Sequence, residues 1–203
     1  YGRLKLLKYV RDNGCPWEAG AFSVAAANGH MKIVVYAYEN NCPWDRFTCA
    51  NAARGGHLAI LKYVSERGCV WDSTTCKYAA ENGHLRTLSY AHKNGCPWDE
   101  ALYYVAALNG HLNIIKYAVR YNCPIDHFAG YGAATGGHLA ILRFLYLKGP
   151  SFDEMTCALA AQNGHLNIVK YLHENVGCPW DEATCYKAAD NGHLNVLKYA
   201  HEN

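Results

Sequence analysis

Between Asp181 and Asn203, polar and apolar positions follow two short helical rhythms. Asp181 stands just before the first of them, where a helix N-cap belongs. Cys185, Ala188 and Ala189 then fall at i, i+3 and i+4, on one helical face. Asn191-Gly192 ends that run, because glycine adopts the left-handed conformation of a helix stop without steric cost. A second run opens at His193, with Leu194, Leu197 and Ala200 on its inner face and Val196 beside them, and closes at Asn203. The pattern predicts two short antiparallel helices.

The same pattern is written along the whole chain. Gly-His recurs at Gly29-His30, Gly56-His57, Gly83-His84, Gly110-His111, Gly137-His138, Gly164-His165 and Gly192-His193, in steps of 27 residues and a last step of 28. One more step back reaches Gly2, followed there by Arg3-Leu4. A fixed period of this size predicts stacked supersecondary units, each burying its apolar face against its neighbours. An acidic N-cap slot holds Glu18, Asp45, Asp72, Asp99, Asp126, Asp153 and Asp181. The stop after each second helix is Gly14, Asn41, Gly68, Gly95, Asn122, Gly149 or Gly177, the two residue types that best tolerate positive φ. An Ala-Ala pair in every first helix, such as Ala79-Ala80, lets neighbouring helices pack closely. Seven first helices and eight second helices are expected, with Val176 an extra residue in the turn before Gly177. Residues 1–203 read as a single array with repeats at about 1–14 (partial), 15–41, 42–68, 69–95, 96–122, 123–149, 150–177 and 178–203. No polar capping repeat closes either end, so a longer array is expected.

These residues resemble the ankyrin repeat. Ala79-Ala80-Glu81-Asn82-Gly83-His84-Leu85 is similar to that family's A-A-x-x-G-H-L stretch, and Gly56-His57-Leu58 through Gly68-Cys69 is similar to its second-helix half. Family repeats run to about 33 residues. The missing stretch lies between the turn and the first helix, where ankyrins project a β-hairpin finger and this chain has only Cys-Pro-Trp-Asp. The resemblance implies an all-α, ankyrin-type helical repeat solenoid of antiparallel helix pairs, its fingers lacking a β-hairpin. It also implies a structural role for the Gly-His histidines and a binding surface on the concave first-helix face.

Composition narrows the chemistry. Hydrophobic residues make up 51% of the chain, enough for a continuous core, and the formal net charge is only +2. That balance argues against electrostatic capture of nucleic acid. No apolar run reaches membrane-spanning length and no signal-peptide pattern opens the sequence. Ten cysteines fall in two slots: the turn (Cys15, Cys42, Cys69, Cys96, Cys123, Cys178) and the first helix (Cys49, Cys76, Cys157, Cys185). Equivalent residues of packed helices sit roughly 8–10 Å apart, too far for a disulfide, whose Cα atoms need about 7 Å or less. No C-x-x-C pair exists. The cysteines therefore read as small buried hydrophobes in a reducing compartment, cytoplasmic or nuclear. The turn slot also accepts Pro150, which is neither ligand nor bridge partner. The same stacking distance separates the histidines, so neither metal nor cofactor is expected. No nucleophile stands beside a base and an orienting group, and no enzyme activity is expected.

Lys8, Lys62, Lys116, Lys170 and Lys198, with Arg143, form a stripe; four of these lysines precede an acid at i+4 and read as a solvated convex face. Trp17, Trp44, Trp71, Trp98 and Trp180 share one slot and read as a roof over the edge left bare by the missing finger. Three first-helix slots vary from repeat to repeat, and their scatter reads as release from the packing requirement. From them we expect a partner-binding set: Arg54, Lys77, Tyr78, Glu81, Tyr104, Leu108, Tyr131, Thr135, Gln162, Tyr186 and Asp190. The expected function is a scaffold that binds protein partners on the concave face, without membrane insertion or a small-molecule substrate. Two other readings fit the array: the substrate-recruiting part of a larger enzyme or ubiquitin-ligase adaptor, and an architectural subunit of a large assembly.

Overall fold

The structure, a computed structural model, describes residues 4–149 and 151–203, apart from the side chains of Ala19 and Arg46. The expectations at Gly2, Arg3 and Pro150 lie outside the described residues. Among those described there is no strand. The fold is all-α, a repeat array of short helix pairs without β-hairpins. It divides into two compact halves, Tyr1–Trp98 and Asp99–Asn203.

In the N-terminal half the first helices are α2 (Ala19–Ala27), α4 (Arg46–Arg54) and α6 (Ser73–Glu81). Its second helices are α1 (Leu4–Asp12), α3 (Met31–Glu39), α5 (Leu58–Ser65) and α7 (Leu85–Lys93). In the C-terminal half the first helices are α8 (Ala101–Leu108), α10 (Phe128–Gly136), α12 (Glu154–Gln162) and α14 (Glu182–Asp190). The second helices are α9 (Leu112–Arg120), α11 (Leu139–Tyr146), α13 (Leu166–Tyr171) and α15 (Leu194–Glu202). Within each half, first helices pack on first helices and close the core with their own second helices.

The core slots are the Ala-Ala pair, buried in six of the seven first helices, and second-helix positions such as Ile60, Leu61 and Val64. In α14 Ala188 is buried but Ala189 is exposed, which corrects the inner face expected there. The inner face expected for α15 is corrected as well. Val196 is buried there, whereas Leu194 is 58% exposed and Leu197 and Ala200 are half-buried, because among the described residues α15 packs only on α13 and α14 and no helix covers its other side. Each Gly-His glycine takes a positive φ, between 71° and 80°, as the turn requires. Asn41 and Asn122 do the same at the other stop, with φ of 54° and 56°.

Two local expectations change. Val176 is not an extra turn residue; it is taken up in a π-helical turn, Leu172–Val176, that continues α13. A π turn accommodates one added residue while keeping the backbone hydrogen-bonded. The acidic slot also caps unevenly. Asp45, Asp72, Asp153 and Asp181 accept a backbone N–H of the first turn, whereas Glu18 makes no side-chain cap bond. Asp99 and Asp126 do not cap. α8 and α10 begin one residue later than the pattern predicts, with Glu100 and His127 at their N-cap positions.

Candidate partner-binding face

The histidines at the second-helix starts tie the repeats together. The Nε2 atoms of His57, His138, His165 and His193 lie 3.0–3.2 Å from the carbonyl oxygens of Ala27, Leu108, Thr135 and Gln162. A carbonyl only accepts, so Nε2 carries the proton in each. The bond satisfies a carbonyl at the end of a first helix. Among the described residues no group of three or more His, Cys, Asp or Glu side chains gathers around a metal-sized space.

The cysteines meet where a comparison of equivalent slots does not look. A first-helix cysteine lies against the turn cysteine of the next repeat: the Cys49 thiol donates to the Cys69 carbonyl oxygen at 3.6 Å, and the Cys76 and Cys157 side chains likewise interact with those of Cys96 and Cys178. The neighbouring turn cysteine, with burial second, pushes Cys49 and Cys157 above the usual thiol range. Turn thiols donate onward to backbone, Cys178 to Asp153 at 3.1 Å and Cys96 to Asp72 at 3.3 Å. Burial, then the charges of Asp99 and Glu100, raises Cys123 to about 12. All ten cysteines are free thiols; only Cys15 is exposed, and Cys185 is half-buried.

The basic stripe points across to the following repeat. Lys8 sits over the Tyr36 ring at 5.1 Å, Lys62 over Tyr90 at 5.3 Å, Lys170 over Tyr199 at 5.1 Å and Arg143 over Tyr171 at 5.3 Å. These are cation–π contacts between neighbouring second helices, a role that i,i+4 spacing does not reveal. The tryptophans are half-buried beside the same aromatic row. Trp44 packs edge-on against Phe22 at 5.3 Å, and Trp180 stacks on His173 at 4.2 Å.

The expected partner-binding residues all keep some exposure, but they separate into groups. In the N-terminal half Arg54 lies over the Tyr78 ring at 5.5 Å, and Lys77, Tyr78 and Glu81 are half-buried on α6. In the C-terminal half Tyr104, Tyr131 and Thr135 converge on one pocket of about 500 Å³, lined also by Glu100, Ala101, Asp126, Phe128 and Leu159. Leu108 and Gln162 are half-buried beyond it, while Tyr186, 68% exposed, and Asp190 stand apart on α14. Release from packing is not uniform in the varied slots: Ala50, Val105, Gly132 and Ala158 are buried.

Gly132 explains why the pocket forms here. A Cβ at Gly132 would stand 2.4 Å from the Tyr104 carbonyl oxygen, and one at Gly136 would stand 2.1 Å from that of Leu108. Only glycine permits so close an approach of α10 to α8. Tyr131 then projects beside Tyr104, and its hydroxyl donates to Asp153 Oδ2 at 2.5 Å. Burial, followed by that bond, raises Tyr131 to about 12. Asp153 feels burial in the opposite sense, but the bonds from Tyr131 and Thr156 draw it below the ordinary carboxylate value. Asp126 is the exception in this set. It neither caps α10 nor finds another partner, and its Oδ1 is buried with no hydrogen bond. Leaving such a group unsatisfied costs on the order of 1–3 kcal/mol.

Sequence reasoning missed Glu100, Asp126, Phe128 and Leu159. Phe128 carried a signal: a large aromatic residue where most repeats place a small or short one, and it is 48% exposed.

No protein-family model matches the sequence, and no curated protein does. The fold does match solved structures. The crystal structure of the human ASB11 ankyrin repeat domain superposes with a TM-score of 0.68 at 18% identity, covering 88% of this chain and 96% of that one. The chain thus has the fold of an ankyrin repeat domain. Among the described residues no helix is long and apolar enough to cross a membrane.

Proposed function

We propose that the protein is a protein-binding scaffold that receives its partner on the first-helix face. The observation that carries this reading is the convergence of Tyr104 and Tyr131 with the exposed Phe128 on one open pocket. Aromatic residues in partly desolvated pockets dominate binding energy, because they supply large contact area at low entropic cost. On the second-helix side the exposed cations lie over rings of the following repeat, where they serve packing. Cys-Pro-Trp-Asp leaves no hairpin to recognise a partner, so recognition falls to the helices.

The test is affinity capture of a partner, its identification by mass spectrometry, and calorimetry with the purified partner. Tyr104→Ala with Tyr131→Ala should weaken binding by about tenfold or more, as truncation of central hot spots does, while the helical signal persists. Lys62→Ala with Lys116→Ala should leave affinity unchanged. The reverse ranking would move the binding surface to the second-helix side.

A further inference from the structure

We propose that the pocket formed by α8, α10 and α12 receives the cationic head of a lysine or arginine side chain from a basic segment of a partner protein. The inference rests on the protein-binding reading and gives that face its chemistry.

Three independent features support a cation. The first is the aromatic lining. Phe128 and Tyr131 stand perpendicular, at 88°, with centroids 5.5 Å apart, and Tyr104 lines the same space. Perpendicular rings present a π face at any approach into the corner, and a π face attracts a guanidinium or ammonium group. The second is Asp126. Asp126 lines the pocket with its Oδ1 buried and unpartnered, and Glu100 lies at the exposed edge of the lining. A buried carboxylate oxygen without a donor is unfavourable, and a charged N–H donor from outside answers it best. An apolar occupant would fit the rings but leave Asp126 unpaired.

The third feature is charge placement. Asp99–Asn203 holds ten Asp and Glu against seven Lys and Arg. Its acids gather at the starts of the first helices, as at Asp99, Glu100, Asp126, Asp153 and Glu154. Of its Lys and Arg, only Lys187 lies on a first helix, with its Nζ 3.7 Å from Met155 Sδ. The exposed His127 ring packs against Phe128 and Tyr131 at 4.3 and 5.2 Å, outside the lining of the pocket. A basic segment meets complementary charge here, whereas an acidic or phosphorylated one meets repulsion. The volume of about 500 Å³ accommodates one long side chain with part of its flanking backbone.

The experiment selects peptides from a random library displayed on phage, using the whole 203-residue chain. Anchors are then replaced one position at a time, lysine by norleucine and arginine by citrulline, and affinities are read by fluorescence anisotropy. Selected peptides should carry a central Arg or Lys whose neutral replacement weakens binding by about tenfold or more. Asp126→Asn should erase that preference while the circular dichroism stays helical, since Asp126 caps nothing. Peptides anchored by an aliphatic or aromatic residue, and lost on Tyr104→Ala, would overturn the cation pocket but leave the protein-binding reading in place. Peptides indifferent to both Tyr104→Ala and Tyr131→Ala would remove the first-helix face from both.

Discussion

Nε2 of His138 lies 3.2 Å from the carbonyl oxygen of Leu108, in the preceding repeat. The same imidazole covers Gly110, whose φ is +80°: a Cβ there would stand 2.6 Å from the ring. One histidine thus closes a hydrogen bond and occupies the space that a glycine leaves open. Gly-His is repeated because the glycine of one copy and the histidine of the next form a single contact.

Gly110→Val should therefore strike twice, through positive φ and through collision with His138. A loss of about 2 kcal/mol or more is expected, read as a lower midpoint in urea. His138→Ala relieves the collision but orphans the Leu108 carbonyl, which costs about 1–3 kcal/mol by itself. The double variant should be less destabilised than the two losses added together. Simple additivity would show that the two residues do not act as one contact.

The uneven capping gives a second comparison. Asp45 accepts the Phe47 N–H at 2.9 Å, whereas Asp126 caps no helix. Asp45→Ala should cost about 1 kcal/mol. Asp126→Ala should cost little or slightly stabilise the chain, because it removes a buried unsatisfied oxygen. Thermal melts of the two variants side by side decide the matter, and equal losses would return Asp126 to the capping role.

Thiol reactivity follows from burial. In the native protein iodoacetamide should label Cys15 and Cys185, and the remaining eight cysteines should react only after denaturation. Mass spectrometry of digests without reductant reads this directly. Recovery of a disulfide between Cys49 and Cys69 from freshly purified protein would contradict free, hydrogen-bonded thiols.

Tyr131 sets a pH window. Its folded value of about 12 lies above the ordinary value of 10.0 for tyrosine. The unfolded chain then ionises first, so this contribution to stability is complete below pH 10 and is lost as the pH rises toward 12. Between those limits the wild type should lose more stability than Tyr131→Phe, which has no proton to release. Asp153 acts in the opposite direction: its lowered value contributes stability above the ordinary carboxylate range, lost on acidification. Parallel alkaline melting curves for wild type and Tyr131→Phe would refute the first claim.

Much of the architecture follows from local chemistry alone. Helix pairs, their stops and their number are dictated by apolar spacing, by Gly or Asn where φ is positive, and by a 27-residue period too short for a finger. Those properties belong to a residue and its immediate neighbours, so they can be read in order along the chain. What depends on residues some 20–30 positions apart could not be read that way. Slot-by-slot comparison placed Cys49 with its equivalents, yet it meets Cys69; it paired Lys170 with Glu174, yet Lys170 covers Tyr199. The variable slots pointed to Tyr104, Tyr131 and Thr135, but Gly132 appeared as one more variable position. Only packing shows that its missing side chain draws α10 onto α8. The pocket, with its orphaned Asp126 oxygen, is a product of that approach, since a distance between helices is set by the bulk of both partners and is written in neither sequence segment alone.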